Sequence, residues 1–327
     1  MVEKIEECCS SSSSVNLSQV LMKLANDVVC RVALGRKYSD GEDGKKFKKL
    51  LGDFVELLGC FFIGDYIPWL SWLRFVNGFD GKLKKVAKEF DGFLEKVVQE
   101  HVDDYKKREI KEDYKDFADI LLHVQNENLL IDRVFIKAII LLLRHPNIMR
   151  KLQAEIRSIA GSKTHITEDN LEGMVYLKAV IKETLRLHPA VPLIPRVSRT
   201  QVEINGYEIQ PGCHVYINAW AIGRDPISWE SPEEFNPYRF LKSDVDDKAH
   251  DFRLIPFGSG RRGCPGIQFA MAVIEIALAN LIHRFDWGLP CGERGEDLDI
   301  SETFGLGIHK KFPLIAVPAL CDIRANN

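Results

Sequence analysis

The stretch Phe257-Gly-Ser-Gly-Arg-Arg-Gly-Cys264-Pro-Gly266 constrains this chain more than any other. It sets one cysteine in a glycine-rich turn, after a basic pair and before a helix-like run at 267–284. A cysteine held this way can be a metal-ligating thiolate. Arg261 and Arg262, and the positive N-terminal end of the following helix, all favour S⁻ over SH. Gly258, Gly260, Gly263 and Gly266 let the backbone approach a flat partner that side chains would hold off. The N–H groups of the loop can then point at the sulfur and tune it. A structural cysteine buried in a glycine-rich turn is the other reading of the loop by itself.

Most of the remaining chain has helical periodicity. Residues 1–9 read as the end of a helix, and Ser10 to Ser14 as a flexible link. Asn16, with Gln19 at the capping-box position, opens a helix with a wide apolar face from Leu17 to Ala33, stopped by Gly35. Helical patterns recur at 45–58, 79–107, 114–124, 131–144 and 147–159. Residues 126–130 read as a turn, and His145-Pro146 stops the helix before it. Thr167, with Asn170 three residues on, opens a short helix, and the helix at 177–187 ends before Pro189. An aromatic stretch at 60–73 is broken by Gly64 and Pro68. It reads equally as a lipid- or ligand-facing cover and as a loop packed on the core. Beyond it in sequence, 197–204, 207–209 and 213–217 alternate apolar and polar residues around Asn205-Gly206 and Pro211-Gly212, which are hairpin signals. A proline-rich irregular stretch at 225–240 precedes the cysteine loop, and short strands are expected after the last helix.

Composition narrows the function classes. A net charge of -3 gives no case for a nucleic-acid partner. The 8 cysteines are scattered without a C-x-x-C pair, so they read as reduced thiols facing cytosol, not as a zinc ribbon or a disulfide scaffold. No signal peptide is evident, and an apolar run such as 138–143 is far too short to span a membrane. The histidines show no metal-ligand spacing.

The spacing Phe257-x-x-Gly260-x-Arg262-x-Cys264-x-Gly266 resembles the haem-binding loop of the cytochrome P-450 monooxygenases. Two further motifs precede it in that family's order. Glu183 and Arg186, three apart and so on one helix face, match Glu-x-x-Arg. Asn236-Pro-Tyr-Arg239-Phe240 matches Pro-x-Arg-Phe. The resemblance implies a mainly α (α+β) fold, one P-450-like helical domain over 1–327 with small β-sheets. It implies haem b as cofactor and Cys264 as the axial ligand of its iron, where the thiolate pushes electron density toward iron and favours O–O cleavage. Phe257, Arg262, Gly266 and Arg196 would be the other cofactor-binding residues, with both arginines toward the haem propionates. Glu183, Arg186 and Arg239 would form a buried structural charge triad.

The implied reaction puts one oxygen atom of O2 into a small hydrophobic metabolite. Electrons would come from NADPH through an NADPH-cytochrome reductase, at the cytosolic face of the endoplasmic reticulum. The stretches 190–194 and 303–307 match the loops over the haem, and both are small and apolar, which suits an apolar substrate. The 61–73 stretch and the surroundings of the cysteine loop look most like plant enzymes of specialised metabolism. Terpenoid or phenolic substrates follow from that analogy alone.

Against the family pattern the chain is expected to be incomplete. The family's membrane anchor, proline-rich hinge, first sheet and helices with a Trp and an Arg for the propionates find no match. Without the anchor, the chain is expected to be cytosolic or peripheral to a membrane surface. The long central helix with Ala-Gly-x-Asp/Glu-Thr, whose acid and threonine relay protons, is also unmatched, so no catalytic residue is identified. Residues 131–143 run straight into Leu143-Arg-His-Pro, short by roughly five turns, about 27 Å. Ala160-Gly161-Ser162-Lys163-Thr164 is a decoy, with lysine where the acid belongs. A skipped exon with a late start, or a mispredicted gene model, would produce both gaps. Whether this chain is itself an enzyme therefore stays open. One alternative is a non-catalytic haem-binding remnant or an unstable fragment. Another is a helical interaction protein with Cys264 as a plain core thiol, which the ordered series of motifs argues against.

Overall fold

A helix that is apolar on every face has no side to give to water and must be surrounded. Residues 134–142 come close to it, nine in a row that are all buried and all apolar but Lys137. The computed structural model describes residues 1–11, 13–34, 41–58, 67–70, 72–73, 78–107, 131–241, 251–303 and 309–321. The expected helix at 114–124, the turn at 126–130, the stop at Gly35, and most of 60–73 and 303–307 lie outside these residues.

In chain order the helices and strands are α1 (Val2–Ser10), β1 (Val15–Asn16), α2 (Leu17–Leu34), α3 (Gly41–Leu58), α4 (Phe79–Lys107), α5 (Ile131–Arg144), α6 (Pro146–Ala160), α7 (Glu168–Leu171) and α8 (Val175–Leu187). They continue with β2 (Leu193–Val197), β3 (Val202–Ile204), β4 (Tyr207–Ile209), β5 (His214–Asn218), α9 (Ala219–Ile222), α10 (Ile267–Arg284), β6 (Phe285–Gly288), β7 (Glu302–Thr303), β8 (His309–Lys310) and β9 (Ile315–Leu320). The fold is mainly α with small antiparallel sheets. The chain divides into two compact units, 1–22 with 129–327, and 23–128.

In the first unit α5, α6, α8 and α10 pack on one another. Leu152 and Ile156 of α6, Val180 and Ile181 of α8, and Ile274 and Leu278 of α10 are all fully buried. Among the described residues α10 alone is long and apolar enough to cross a membrane, with a mean hydropathy of 1.3 over 18 residues, and half of that span is buried inside the protein. The start of the chain is stitched to its far end. β1 pairs antiparallel with β9 (Val15 opposite Ala316), and β6 pairs with the other edge of β9. Leu17 N–H donates to the Leu314 carbonyl at 2.9 Å, and Arg284 Nε to Glu6 Oε1 at 2.7 Å. The serines at the end of α1 do not act simply as a link. Ser10 and Ser11 donate back to the Glu6 and Glu7 carbonyls and finish the helix.

Local rules hold where they have a side-chain mechanism. Gln19 N–H donates to the Asn16 side chain at 3.0 Å, and Thr167 and Asn170 form a reciprocal capping box. The β3–β4 turn places Asn205 and Gly206 at φ 50 and 80, the positive pair that an Asn-Gly hairpin requires. The strand before it begins earlier than expected. β2 covers Leu193–Val197, because Pro192 and Pro195 hide its alternation, and a strand with one paired edge tolerates proline.

The second unit is held by aromatic stacking between α3 and α4. Phe47 stacks on Phe93 with ring centroids 4.7 Å apart, and Phe54 meets Phe90 at 5.1 Å. Leu50, Leu57 and Val86 complete that core. Trp69 and Trp72, from the aromatic stretch, are both exposed.

Candidate functional site

Backbone contacts build the cysteine loop. Gly258 N–H donates to the Ile255 carbonyl, Gly263 N–H to Gly260, and Cys264 N–H to Phe257, at 2.9–3.0 Å. Gly258 and Gly260 hold φ of +71 and +72, where a β-carbon is strained. A β-carbon on Gly258 would also stand 3.5 Å from Arg196 Nη2, and one on Gly263 3.3 Å from the Gly260 carbonyl. Glycine is thus favoured by backbone conformation at Gly258 and Gly260 and by a tight contact at Gly263. Gly266 is the N-cap of α10, so half-buried Cys264 lies against the positive end of an 18-residue helix. Phe257 is half-buried, whereas Arg261 and Arg262 are exposed.

β2 brings Arg196 to this loop. Its Nη2 donates to the Arg262 carbonyl at 3.3 Å and its Nη1 to the Pro195 carbonyl at 2.8 Å. Arg196, Phe257, Arg262, Cys264 and Gly266 thus belong to one locality. The contact between the two arginines runs through the Arg262 backbone, not its guanidinium.

Glu183, Arg186 and Arg239 also come together. Glu183 and Arg186 on α8 are buried, with Arg186 Nε at 2.7 Å from Oε2 and Nη2 at 2.8 Å from Oε1. Oε1 accepts further from Arg239 Nε at 3.0 Å and Asn236 N–H at 2.8 Å. The arginines then hold the irregular stretch by its carbonyls. Arg186 donates to Gly223, Pro232 and Glu234, and Arg239 to Glu230, Ser231 and Glu234. Gly223 passes so close to the Arg186 carbonyl that any β-carbon there would collide with it.

One ionic cluster has no motif. Buried Lys137 of α5 places Nζ 2.7 Å from Glu302 Oε1, and His188 Nδ1 lies 3.5 Å from the same oxygen. Burial pushes the Glu302 carboxyl up, but the His188 hydrogen bond and the Lys137 ammonium outweigh it and bring its pKa to about 2. Burial lowers the His188 pKa against the Glu302 contact. The three residues lie up to 165 positions apart, so no spacing rule could pair them. A cleft of about 1230 Å³ lined by Trp220, Arg224, Glu233 and Phe252 contains none of the cysteine-loop or triad residues. The decoy string sits at the end of α6, where Gly161 turns the chain with φ 57.

A family profile described as Cytochrome P-450 matches residues 1–133 and 136–315. The chain is 56% identical to cytochrome P-450 736A117 of Prunus mume, with 94% of this chain and 65% of that protein covered. It is 49% identical to cytochrome P-450 71A8 of Mentha piperita, with 94% and 65% covered. It is 44% identical to norfluorocurarine oxidase of Strychnos sp, with 96% and 68% covered. The chain thus spans 65% of the length of the first two relatives. A zebrafish cytochrome P-450 solved with progesterone has the same fold, with a TM-score of 0.74 at 24% identity, covering 97% of this chain and 74% of that one. The first alignment runs over 336 positions, more than the 327 residues of this chain, so that relative has residues without a counterpart here.

Proposed function

Because this chain belongs to the cytochrome P-450 family, we propose that it holds a haem through Cys264 and derives from a haem-thiolate monooxygenase. The carrying observation is the cysteine loop itself, a glycine-rich turn with a half-buried thiol at the positive end of α10. The donor set suits haem. Cys264 would supply a soft thiolate for iron, and two guanidinium side chains on adjoining backbone, Arg196 and Arg262, would suit the two propionates. Phe257 and Gly266 would complete the contact, the first as an apolar wall and the second by its lack of a side chain. When bound, haem ligated by a thiolate supplies oxygen activation driven by electron donation from sulfur.

Everything else falls to the chain. The positive helix end would complement the charge of a thiolate ligand. The Glu183–Arg186–Arg239 triad fixes the irregular stretch that leads into the loop. The stretch 190–194, which matches a loop over the haem, is small and apolar, which supports a small hydrophobic substrate. An oxidase name among the relatives supports oxidation of a plant metabolite. An NADPH-dependent reductase is the matching electron donor, and the endoplasmic reticulum surface the matching location. We read the two compact units as parts of one domain, because the family match runs through both.

A second reading is favoured by one observation. The family match is interrupted at 134–135, inside α5, and α5 is followed directly by α6. The sequence has no acid–threonine pair of the family's proton-relay type. On this reading the chain binds haem without turning over. The test is a reduced carbon-monoxide difference spectrum of the haem-supplemented chain. A red-shifted thiolate-type Soret band, lost in Cys264→Ala, is the expected result. A band of the neutral-ligand type, or none, overturns the haem-thiolate proposal. Product formation with a reductase then separates the monooxygenase from the remnant.

A further inference from the structure

One carboxylate collects two partners from distant parts of the chain. Lys137 comes from the middle of α5, His188 from the end of α8, and Glu302 from β7. Lys137 is only 6% exposed, so the Glu302 carboxylate meets a charge held inside the protein. The segment leading to Glu302 is fixed at its other end as well. Arg144, two turns beyond Lys137 on α5, donates to the Glu296 and Leu298 carbonyls at 3.4 Å. Gly295 lies against the Leu143 carbonyl. Residues 295–302 are therefore laid along α5.

The same carboxylate reaches toward the cysteine loop. From His188 the chain runs to Arg196, which donates to the Arg262 carbonyl. Between them Ile194 packs with Ala219 and Ile255, two residues before Phe257. The segment 188–196 is thus tied to Glu302 at one end and to the cysteine loop at the other.

We propose that Lys137, Glu302 and His188 are a positioning cluster for the cysteine loop. Through 188–196 they set where Arg196 meets the loop, and so how firmly the loop holds its ligand. The identity of that ligand rests on the haem reading above; the mechanical coupling does not.

Hydrogen exchange on the full-length chain tests the coupling without haem. Lys137→Met should speed exchange roughly tenfold at 188–197 and 257–264 and leave the 202–209 hairpin unchanged, a local opening and not global unfolding. The charge exchange Lys137→Glu with Glu302→Lys should restore protection. Glu302→Gln provides a second variant should Lys137→Met not fold. On the haem-supplemented chain, Lys137→Met should keep the Soret type but speed haem loss to an apomyoglobin acceptor about fivefold, roughly 1 kcal/mol. Faster exchange confined to 131–144, an even rise over the whole unit, or no rescue by the charge exchange would overturn the proposal. The expected exchange pattern without a thiolate-type band in the unaltered chain would sink the haem reading alone.

Discussion

At the scale of single residues, Glu183 has the most to lose. Both its oxygens are occupied inside the protein, and its two arginine partners hold five carbonyls of the stretch before the cysteine loop between them, Glu234 being shared. Glu183→Ala strands two cations, which costs about 3–5 kcal/mol for a broken buried pair. Urea denaturation is the measure, and a loss under 1 kcal/mol would contradict the triad's role. Glu302 gives a pH signature instead. Its pKa of about 2 lies below the ordinary 4.5, so its contribution is complete above pH 4.5 and fades as pH falls toward 2. The difference in Tm between the protein and Glu302→Gln should therefore be largest near neutrality and narrow steadily below pH 4.5. The triad's three side chains are legible in sequence because they fall in ordered motifs. Their carbonyl partners are not, since a carbonyl has no residue type. Lys137 with Glu302 is illegible for a different reason, because only the folded packing of α5 brings them together.

At the scale of elements, the close approach of the 295–302 segment to α5 makes glycine obligatory at one point. A β-carbon on Gly295 would run into the Leu143 carbonyl and stand 2.9 Å from Arg144 Cα, both backbone atoms that cannot swing away. Gly295→Ala should cost about 1–3 kcal/mol, as overpacking does. Gly173→Ala is the control, because its β-carbon would meet only a side-chain atom, at 3.7 Å. Thermal melts of the pair should separate them, and equal Tm values would refute the close contact. Long helices were legible here because their apolar period is unmistakable. The helix at 79–107 and the last helix at 267–284 have the bounds the sequence suggests. The two-residue strand β1 was not legible, because Val15–Asn16 is too short to show a period and its partner lies 300 residues away.

At the scale of the whole molecule, the unit at 23–128 has its own aromatic core. Phe47→Ala should cost about 3–5 kcal/mol there. Hydrogen exchange should rise across α3 and α4 while α8 and α10 stay protected, and a uniform rise would show that the units do not open separately. The stitched sheet sets an order of events for the other unit. Val15 cannot find Ala316 until ribosomes have made the 300 residues between them, a wait of roughly 15–60 s at 5–20 residues per second. The contiguous unit can close while synthesis continues. The unit bearing the cysteine loop must remain unfinished, with α1 and β1 unsheltered, until β9 emerges. A nascent chain of this kind is a client for holding chaperones until β9 has been made.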